Sequence, residues 1–445
     1  MNNHLAFTNI LSNTKQKIET QKDIGEILIL KRGIWLYFFL LIFEGALRKW
    51  FLPGLSTPLL IVRDPIALWL IFKSAKNGLL PSNRYMIGMV FIGLIGIFTA
   101  IFLGHGNLVV ALYGARILLI QFPLIFVIGN IFNHKDVENM GKALLLISIP
   151  MVVLVAIQFY SPQSAWVNRG IGGDENGAGF SGAMGFFRPP GTFSFTNGNA
   201  LFFAFVARFI LYFWLSPKKI NRIVLIAATF GLIVAIPLSI SRGLFFSIAI
   251  AVFFALFAML RKPQLIGQAI LICGMGFLSL GVLSKAKFFN TSTEAFKSRF
   301  ESANKTEGGV SGVINGRVLG GMSGALTGSS RIPFFGFGLG MGTNAGAMLL
   351  TGADGFLISE EEWGRLIGEL GPLLGISIIL IRISLTLKMG LIAFRKLNSG
   401  DLLPWMLLSF GVLLIPEGQW SQPTSLGFST LIGGLIIASF NNEQD

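Results

Sequence analysis

Charged side chains are scarce in this sequence. Asp, Glu, Lys and Arg make up 13% of its 445 residues, where a soluble chain carries roughly 25%. Cysteine is nearly absent: the one present, Cys273, sits inside an apolar run, which excludes a disulfide framework and a thiolate metal site. Three histidines occur, His4, His105 and His134. They are too dispersed to suggest a histidine-based triad or a histidine zinc site, and no acidic cluster reads as a metal site. No metal or organic cofactor is implied. Nor is there a repeating sequence period.

Apolar residues fill the place of the missing charge. They form 53% of the chain, and the mean hydropathy is +0.70. Runs of roughly 17–25 apolar residues recur throughout, each long enough to cross a bilayer as a helix, the form that satisfies its own backbone where water is absent. The polar opening, "NNHLAFTNILSNTKQKIETQKD", contains no cleavable signal, so the first apolar segment is expected to direct insertion. The expected fold is a single all-α integral membrane domain over residues 1–445, with about twelve spans. They cover 33–53, 56–72, 85–104, 107–129, 143–160, 199–215, 223–240, 243–260, 264–283, 365–385, 402–418 and 424–440.

The net charge of +14 does not point to nucleic acid, because the cations collect in alternate short loops. Lys15, Lys17, Lys22, Lys31 and Arg32 precede the first span. Lys73, Lys76 and Arg84 follow the second, and the later basic loops hold Lys135 and Lys142, Lys218, Lys219 and Arg222, Arg261 and Lys262, then Lys388, Arg395 and Lys396. That alternation predicts cytoplasmic termini. On the other face two connections exceed what joining requires, 161–198 and 285–364, and long loops of this kind are commonly functional. The second begins with a stretch that reads as a helical insertion carrying Lys297, Arg299 and Glu301.

Ionisable residues inside spans cost a few kcal/mol, so they pair or face a wet cavity. Glu44 has Arg48 one helical turn away, and Asp64 and Arg208 admit structural pairing with a neighbour. Arg116, with no acid nearby in sequence, and Arg242, at a span boundary, are candidates for binding phosphate, whose oxygens a guanidinium grips with two parallel hydrogen bonds. Arg188 lies in "FFRPPGTFSFTNGN" (186–199). The prolines after it fix the backbone, which aims the cation, and the plain alternative is an interfacial anchor. Asn197 and Asn199 are placed to cap the following helix.

In "FGFGLGMGTNAG" (335–346) glycines alternate. The stretch is neither a Walker loop nor a dinucleotide fingerprint. Either its N–H groups form an anion nest, with Gly338, Gly340, Gly342 and Asn344 as a substrate loop, or the glycines serve tight packing. In "ISEEEWGRLIGELG" (358–371), Glu362, Arg365 and Glu369 share one helical face, with Glu361 to Arg365 as an alternative pair. A carboxylate among Glu360, Glu361 and Glu362, positioned by Arg365, is a candidate general base. Acids favoured at a helix N-terminus are the alternative.

Taken in order, "RPPGTFSFTNGNA", "SISRG" (239–243) and the glycine loop leading to "EEEWGRLIGELGPLLG" resemble the bacterial O-antigen ligase and O-antigen polymerase superfamily of multispan glycosyltransferases. "FEGALRKWFLPG" and "VRDPI" resemble a subset associated with exopolysaccharide assembly. The resemblance implies twelve helices below periplasmic loops in the bacterial inner membrane. It also implies transfer of a glycan from an undecaprenyl-pyrophosphate-linked oligosaccharide to a glycan or lipid acceptor, without metal or nucleotide sugar. Arg188 and Arg242 match the arginines that hold pyrophosphate, and other polysaccharide-assembly proteins are expected partners. The ligase branch carries a histidine after the glycine segment, where this chain has Thr343, Asn344 and the glutamates, so the resemblance is to a polymerase-like member. A lipid-linked glycan transporter and an accessory subunit remain alternative readings. The concentration of unusual residues at one face, without the repeat symmetry of a transporter, favours an enzyme.

Overall fold

The computed structural model describes residues 25–216, 219–261, 266–307, 332–353 and 355–441. His4, Lys15, Lys17, Lys22, Lys218, Lys262 and the 308–331 part of the long loop lie outside these residues. The protein is mostly helical, at 76%, with almost no sheet. Seven described helices are long and apolar enough to cross a membrane: Pro53–Lys76, Arg84–Phe102, Leu108–Ile131, His134–Tyr160, Thr196–Leu215, Arg242–Arg261 and Glu362–Ser399. Arg222–Leu238, Leu403–Glu417 and Pro423–Ala438 are shorter apolar helices, and helices also cover 25–46 and Ile266–Leu283.

These elements begin and stop where local chemistry tells them to. Asn83, Asn107 and Asn221 each cap a following helix through the side-chain oxygen, and Asn133 with Asp136 forms a reciprocal capping box. Asn199 behaves differently from its expected capping role. The helix starts earlier, at Thr196 without a side-chain cap, and Asn199 donates to the Pro189 carbonyl at 3.1 Å. Thr196–Leu215 is the central helix, buried along nearly its whole length, and its Phe205 stacks on Phe410 and meets Phe428 edge-on on the helices beside it.

Polar contacts mark two ends of the bundle. At one end Lys31 pairs with Asp136 (2.6 Å), Lys73 with Glu26 (2.7 Å) and His134 with Asp401 (3.1 Å). At the other, Trp50 stacks on Trp166 at 5.4 Å, His105 meets Leu339, and the Trp363 indole donates to the Pro416 carbonyl at 2.9 Å.

The helical insertion read in the long loop is present as Lys287–Glu307. Phe296 and Phe300 seat it against Phe245, and Phe300 also meets Phe246.

The expected span 365–385 needs correction. Within Glu362–Ser399, Gly371 has φ 79° and ψ 170°, which no helix tolerates. In a straight helix Glu362 and Arg382 would stand about 30 Å apart, yet Arg382 Nη1 donates to Glu362 Oε1 at 2.8 Å. Gly375 also lies against the backbone of Leu366 and Ile367. The segment is therefore a helical hairpin. A short arm, 362–370, folds back at Gly371-Pro372 onto a long arm that runs to Ser399.

Candidate functional site

Three groups of ionisable residues occupy the interior and one rim of the bundle. The first lies where the N-terminal helix meets the chain after Arg188. Gly45 has no side chain, and a Cβ there would collide with the backbone of Thr192, Phe193 and Ser194. That gap lets "RPPGTFS" cross directly over the helix. Lys49 Nζ donates to the Gly191 carbonyl (2.7 Å), Arg48 to Ser194 Oγ (3.0 Å), and Thr192 Oγ1 to the Ile42 carbonyl (2.6 Å). Gln158 holds both the N–H and the carbonyl of Gly191. Arg48 and Lys49 belong to a π-helical turn, Leu47–Phe51, a rare geometry often found at functional positions.

Beneath this crossing, Glu44 pairs with Arg48 (3.5 Å) and Arg63 (3.1 Å). Asp64 accepts from Arg116 (2.8 Å) and Gln121 (2.6 Å). Arg116, expected as a phosphate ligand for want of a nearby acid, has found one 52 positions away. Its guanidinium also lies 4.1 Å from the Tyr113 ring and donates to the Tyr113 carbonyl. The structure places Arg116 in a carboxylate-balanced network. Arg208 has no such balance: it donates to the carbonyls of Ala204, Ser247 and Ser409 and stacks on Phe410, pinning three helices together.

The second group surrounds the helical hairpin. Arg365 donates twice to Glu362 (2.8 and 3.1 Å) and once to Glu369 (2.6 Å), so the expected three-residue face does assemble. Glu362 accepts further bonds from Arg382 and from the Trp420 N–H (3.0 Å), and Arg382 lies 3.9 Å over the Trp420 ring. All four charged groups are buried, with exposures of 0–2%. Every lone pair of Glu362 that faces the protein is occupied. The alternative pairing of Glu361 with Arg365 does not form through side chains; Glu360 and Glu361 are exposed. The Glu361 side chain lies within electrostatic reach of Glu417, and the adjoining chain is tied down by Gln419 donating to the Glu360 carbonyl (3.1 Å). Sequence inspection missed Arg382. Its signal, a lone arginine within "IILIRISL", resembles that of the other span arginines.

The glycine loop belongs to this second group. Gly336, Gly338 and Gly340 have φ of 73°, 114° and 94°. A Cβ on Gly336 would strike the Glu369 carbonyl, on Gly340 the Val110 carbonyl, and on Gly342 the Arg365 side chain. The N–H groups of Phe337 and Gly338 donate to Gly368 and Glu369 carbonyls, capping the short arm, and Gly342 N–H donates to Glu369 Oε1 (2.9 Å). The loop is thus a packing seam in which the N–H groups of Phe337, Gly338 and Gly342 are already taken, which favours the packing alternative over the nest. Asn344 is exposed at the start of Asn344–Thr351, a helix capped by Thr343. His105 is wedged against Gly338, with Nδ1 accepting from Asn107 N–H and Nε2 facing the Leu339 carbonyl, so it is the Nε2–H tautomer.

The third group is the arginine cluster. Arg188 ends a two-stranded hairpin in which Phe180–Ala183 pairs antiparallel with Phe186–Arg188. Gly182 packs against Ile240 and the Arg188 stem, which brings the hairpin to the turn preceding Arg242. Helix Lys287–Glu307 brings Arg299. Burial holds the Arg188 guanidinium below its ordinary range, and the like charges of Arg299 and Arg242 push it the same way. Its Nε–H is buried and donates to no atom of the described residues. The structure therefore places Arg242, and with it Arg299, within electrostatic reach of Arg188. A half-buried gathering of guanidiniums with a spare donor is suited to a polyanion with several oxygens.

Helix Arg242–Arg261 packs on Leu403–Glu417. Trp405 donates to the Phe254 carbonyl, and Arg208 bridges Ser247 and Ser409. Running antiparallel from Ser247 and Ser409, the two helices carry Arg242 and Glu417 to the same end of the bundle. No family model matches the chain and no curated protein does.

Proposed function

We propose that the protein is a polymerase-like integral membrane glycosyltransferase of surface polysaccharide assembly, taking its glycan from an undecaprenyl-pyrophosphate donor. The observation that carries this reading is the placement of Arg242 and Arg299 within electrostatic reach of Arg188, with a buried Arg188 donor left over. In this reading the seven long apolar helices, the three shorter ones, helix 25–46 and helix Ile266–Leu283 serve as the twelve crossings. With the basic loops at the Lys31 and Lys73 end in the cytoplasm, the arginine cluster faces the periplasm.

In this reading the acceptor hydroxyl oxygen attacks the anomeric carbon while the bond from that carbon to the pyrophosphate oxygen breaks, inverting the centre. The electron pair leaves with the lipid pyrophosphate, whose new charge the arginines stabilise. The hydroxyl proton passes to an exposed carboxylate. Glu362 is already saturated, so the role falls to Glu361, beside Glu417, with Glu360 adjacent. Arg365 then acts as a positioning residue that anchors the short arm. Leu403–Glu417 has 15 residues, about 22 Å of helix against roughly 30 Å of hydrocarbon, so these acids would lie in a recess below the outer rim.

The test is reconstitution of the purified protein with a synthetic undecaprenyl-pyrophosphate oligosaccharide. Longer lipid-linked chains are the expected product. Glycan on a different acceptor would make it a ligase. Movement of intact donor across the bilayer would make it a transporter, and binding without turnover an accessory subunit; either outcome overturns the proposal.

A further inference from the structure

The far end of the bundle carries a feature the glycosyltransferase reading does not use. A groove of about 420 Å³ runs between helix 25–46 and helix Arg63–Lys76, lined by Ile29, Gly33, Leu36, Pro65, Ile66 and Trp69, with Arg32 as its only charged wall. Ile29, Arg32, Gly33 and Leu36 recur every three to four residues, so they form one continuous face. From Ile29 to Leu36 the face is about 10 Å long. Gly33 makes the groove possible in this form, because a Cβ there would press on the Trp69 ring and the Leu70 side chain. The indole therefore seats directly on the helix backbone and becomes a wall.

The charges at this end divide unevenly. Lys31 is matched by Asp136 and Lys73 by Glu26. Arg32 is exposed, and no described residue forms an ion pair or hydrogen bond with it. An unmatched guanidinium on the wall of an apolar channel beside a tryptophan makes the groove amphipathic. The channel suits a hydrocarbon chain, the indole suits the interface, and the guanidinium suits a phosphate. A zwitterionic lipid would place its own cation near Arg32, whereas an anionic lipid would not. We propose that this groove holds one acyl chain of an anionic phospholipid whose phosphate sits on Arg32, at the end that the charge pattern assigns to the cytoplasm. The inference rests on the membrane reading of the apolar helices and not on the transferase reading.

Native mass spectrometry of the full-length protein, released from detergent after equal exposure to phosphatidylglycerol and phosphatidylcholine, tests it. The expected result is at least tenfold preferential retention of one phosphatidylglycerol, with the preference lost in Arg32→Ala and kept in Arg32→Lys. Leu36→Trp, which fills the channel and leaves the cation, should abolish retention of either lipid at this site. Glycerophosphoglycerol, the same head group without acyl chains, should not be retained. Equal retention of the two lipids, or a preference that survives both Arg32→Ala and Leu36→Trp, overturns the proposal. Both side chains are exposed, and unchanged melting of each variant in detergent separates loss of the lipid from loss of the fold.

Discussion

The hairpin network and the arginine cluster use the same side chain in opposite ways. Around Glu362 two guanidiniums meet two carboxylates, with Gly342 and Trp420 supplying the remaining donors. Around Arg188 the neighbours that act on it are two more arginines. The first arrangement balances its charges internally, two carboxylates against two guanidiniums, although Arg382 keeps buried donors without a hydrogen-bond partner among the described residues. In the second, Arg188 lies among like charges that act against its own, a repulsion that an added anion would relieve. Buried charge alone therefore does not mark a site; like charges gathered around one guanidinium are the stronger indication.

The sharpest way to break this comparison is to remove one member of each group. Arg365→Ala leaves Glu362 and Glu369 buried beside a single remaining arginine, and breaking a buried pair in this way costs about 3–5 kcal/mol. Thermal unfolding in detergent should show a large loss, with Arg365→Lys recovering part of it because one of the three bonds survives. An Arg365→Ala variant that melts with the wild type would remove the hairpin network from the architecture.

Arg188→Ala should do the reverse. Removing one of three like charges leaves the melting temperature unchanged or raised. If the cluster stabilises the departing pyrophosphate, turnover of the lipid-linked donor should fall on the order of 10²- to 10³-fold, the cost of one well-placed donor. Arg116→Ala provides the contrast within the same assay. It strips Asp64 of its charged partner, leaving only Gln121, and should lower stability while leaving donor affinity near that of the wild type. A pattern in which Arg116 governs turnover and Arg188 governs melting would invert the assignment.

Much of this was legible in the sequence, and the limits have a physical origin. Helix positions follow apolar run length and asparagine caps, both local properties, and the expected spans fall within a few residues of most observed helices. Glu44 with Arg48 and the Glu362, Arg365, Glu369 face depend on spacing within one helix, and both appear as expected. Partners distant in sequence were invisible. Asp64 reaches Arg116 across 52 residues and Glu362 reaches Arg382 across 20. The hairpin at Gly371 hid inside an uninterrupted apolar stretch, because hydropathy records how greasy a segment is and not which way it runs. The Gly371-Pro372 pair was the available signal for that reversal. Arg299 was read as part of a loop helix, and nothing local showed that Phe296 and Phe300 would seat it beside Arg188.

The glycine seam offers a smaller perturbation on the satisfied side. Gly340 has φ of 94°, and a Cβ would collide with the Val110 carbonyl. Gly340→Ala should therefore cost about 1–3 kcal/mol from the backbone conformation alone, with more from the collision, read as a lower melting temperature. Gly352→Ala makes a useful comparison: its φ of 73° carries the same kind of strain, but a Cβ there meets no neighbouring atom. The difference between the two isolates the packing contribution.

The smallest expected effect sharpens the unsatisfied side. Arg299 is half-buried on helix Lys287–Glu307, so water reaches and screens it. Arg299→Ala should weaken competitive inhibition by inorganic pyrophosphate about tenfold, equivalent to about 1.4 kcal/mol, with little change in melting. A contact screened by solvent also weakens with ionic strength. Inhibition of the wild type should fall as salt rises, and fall less steeply in the variant, because one of the screened charges has gone. Equal salt slopes in the two proteins would mean that Arg299 stands near Arg188 without sharing its anion, and the cluster would reduce to the pair that the sequence motifs already suggested.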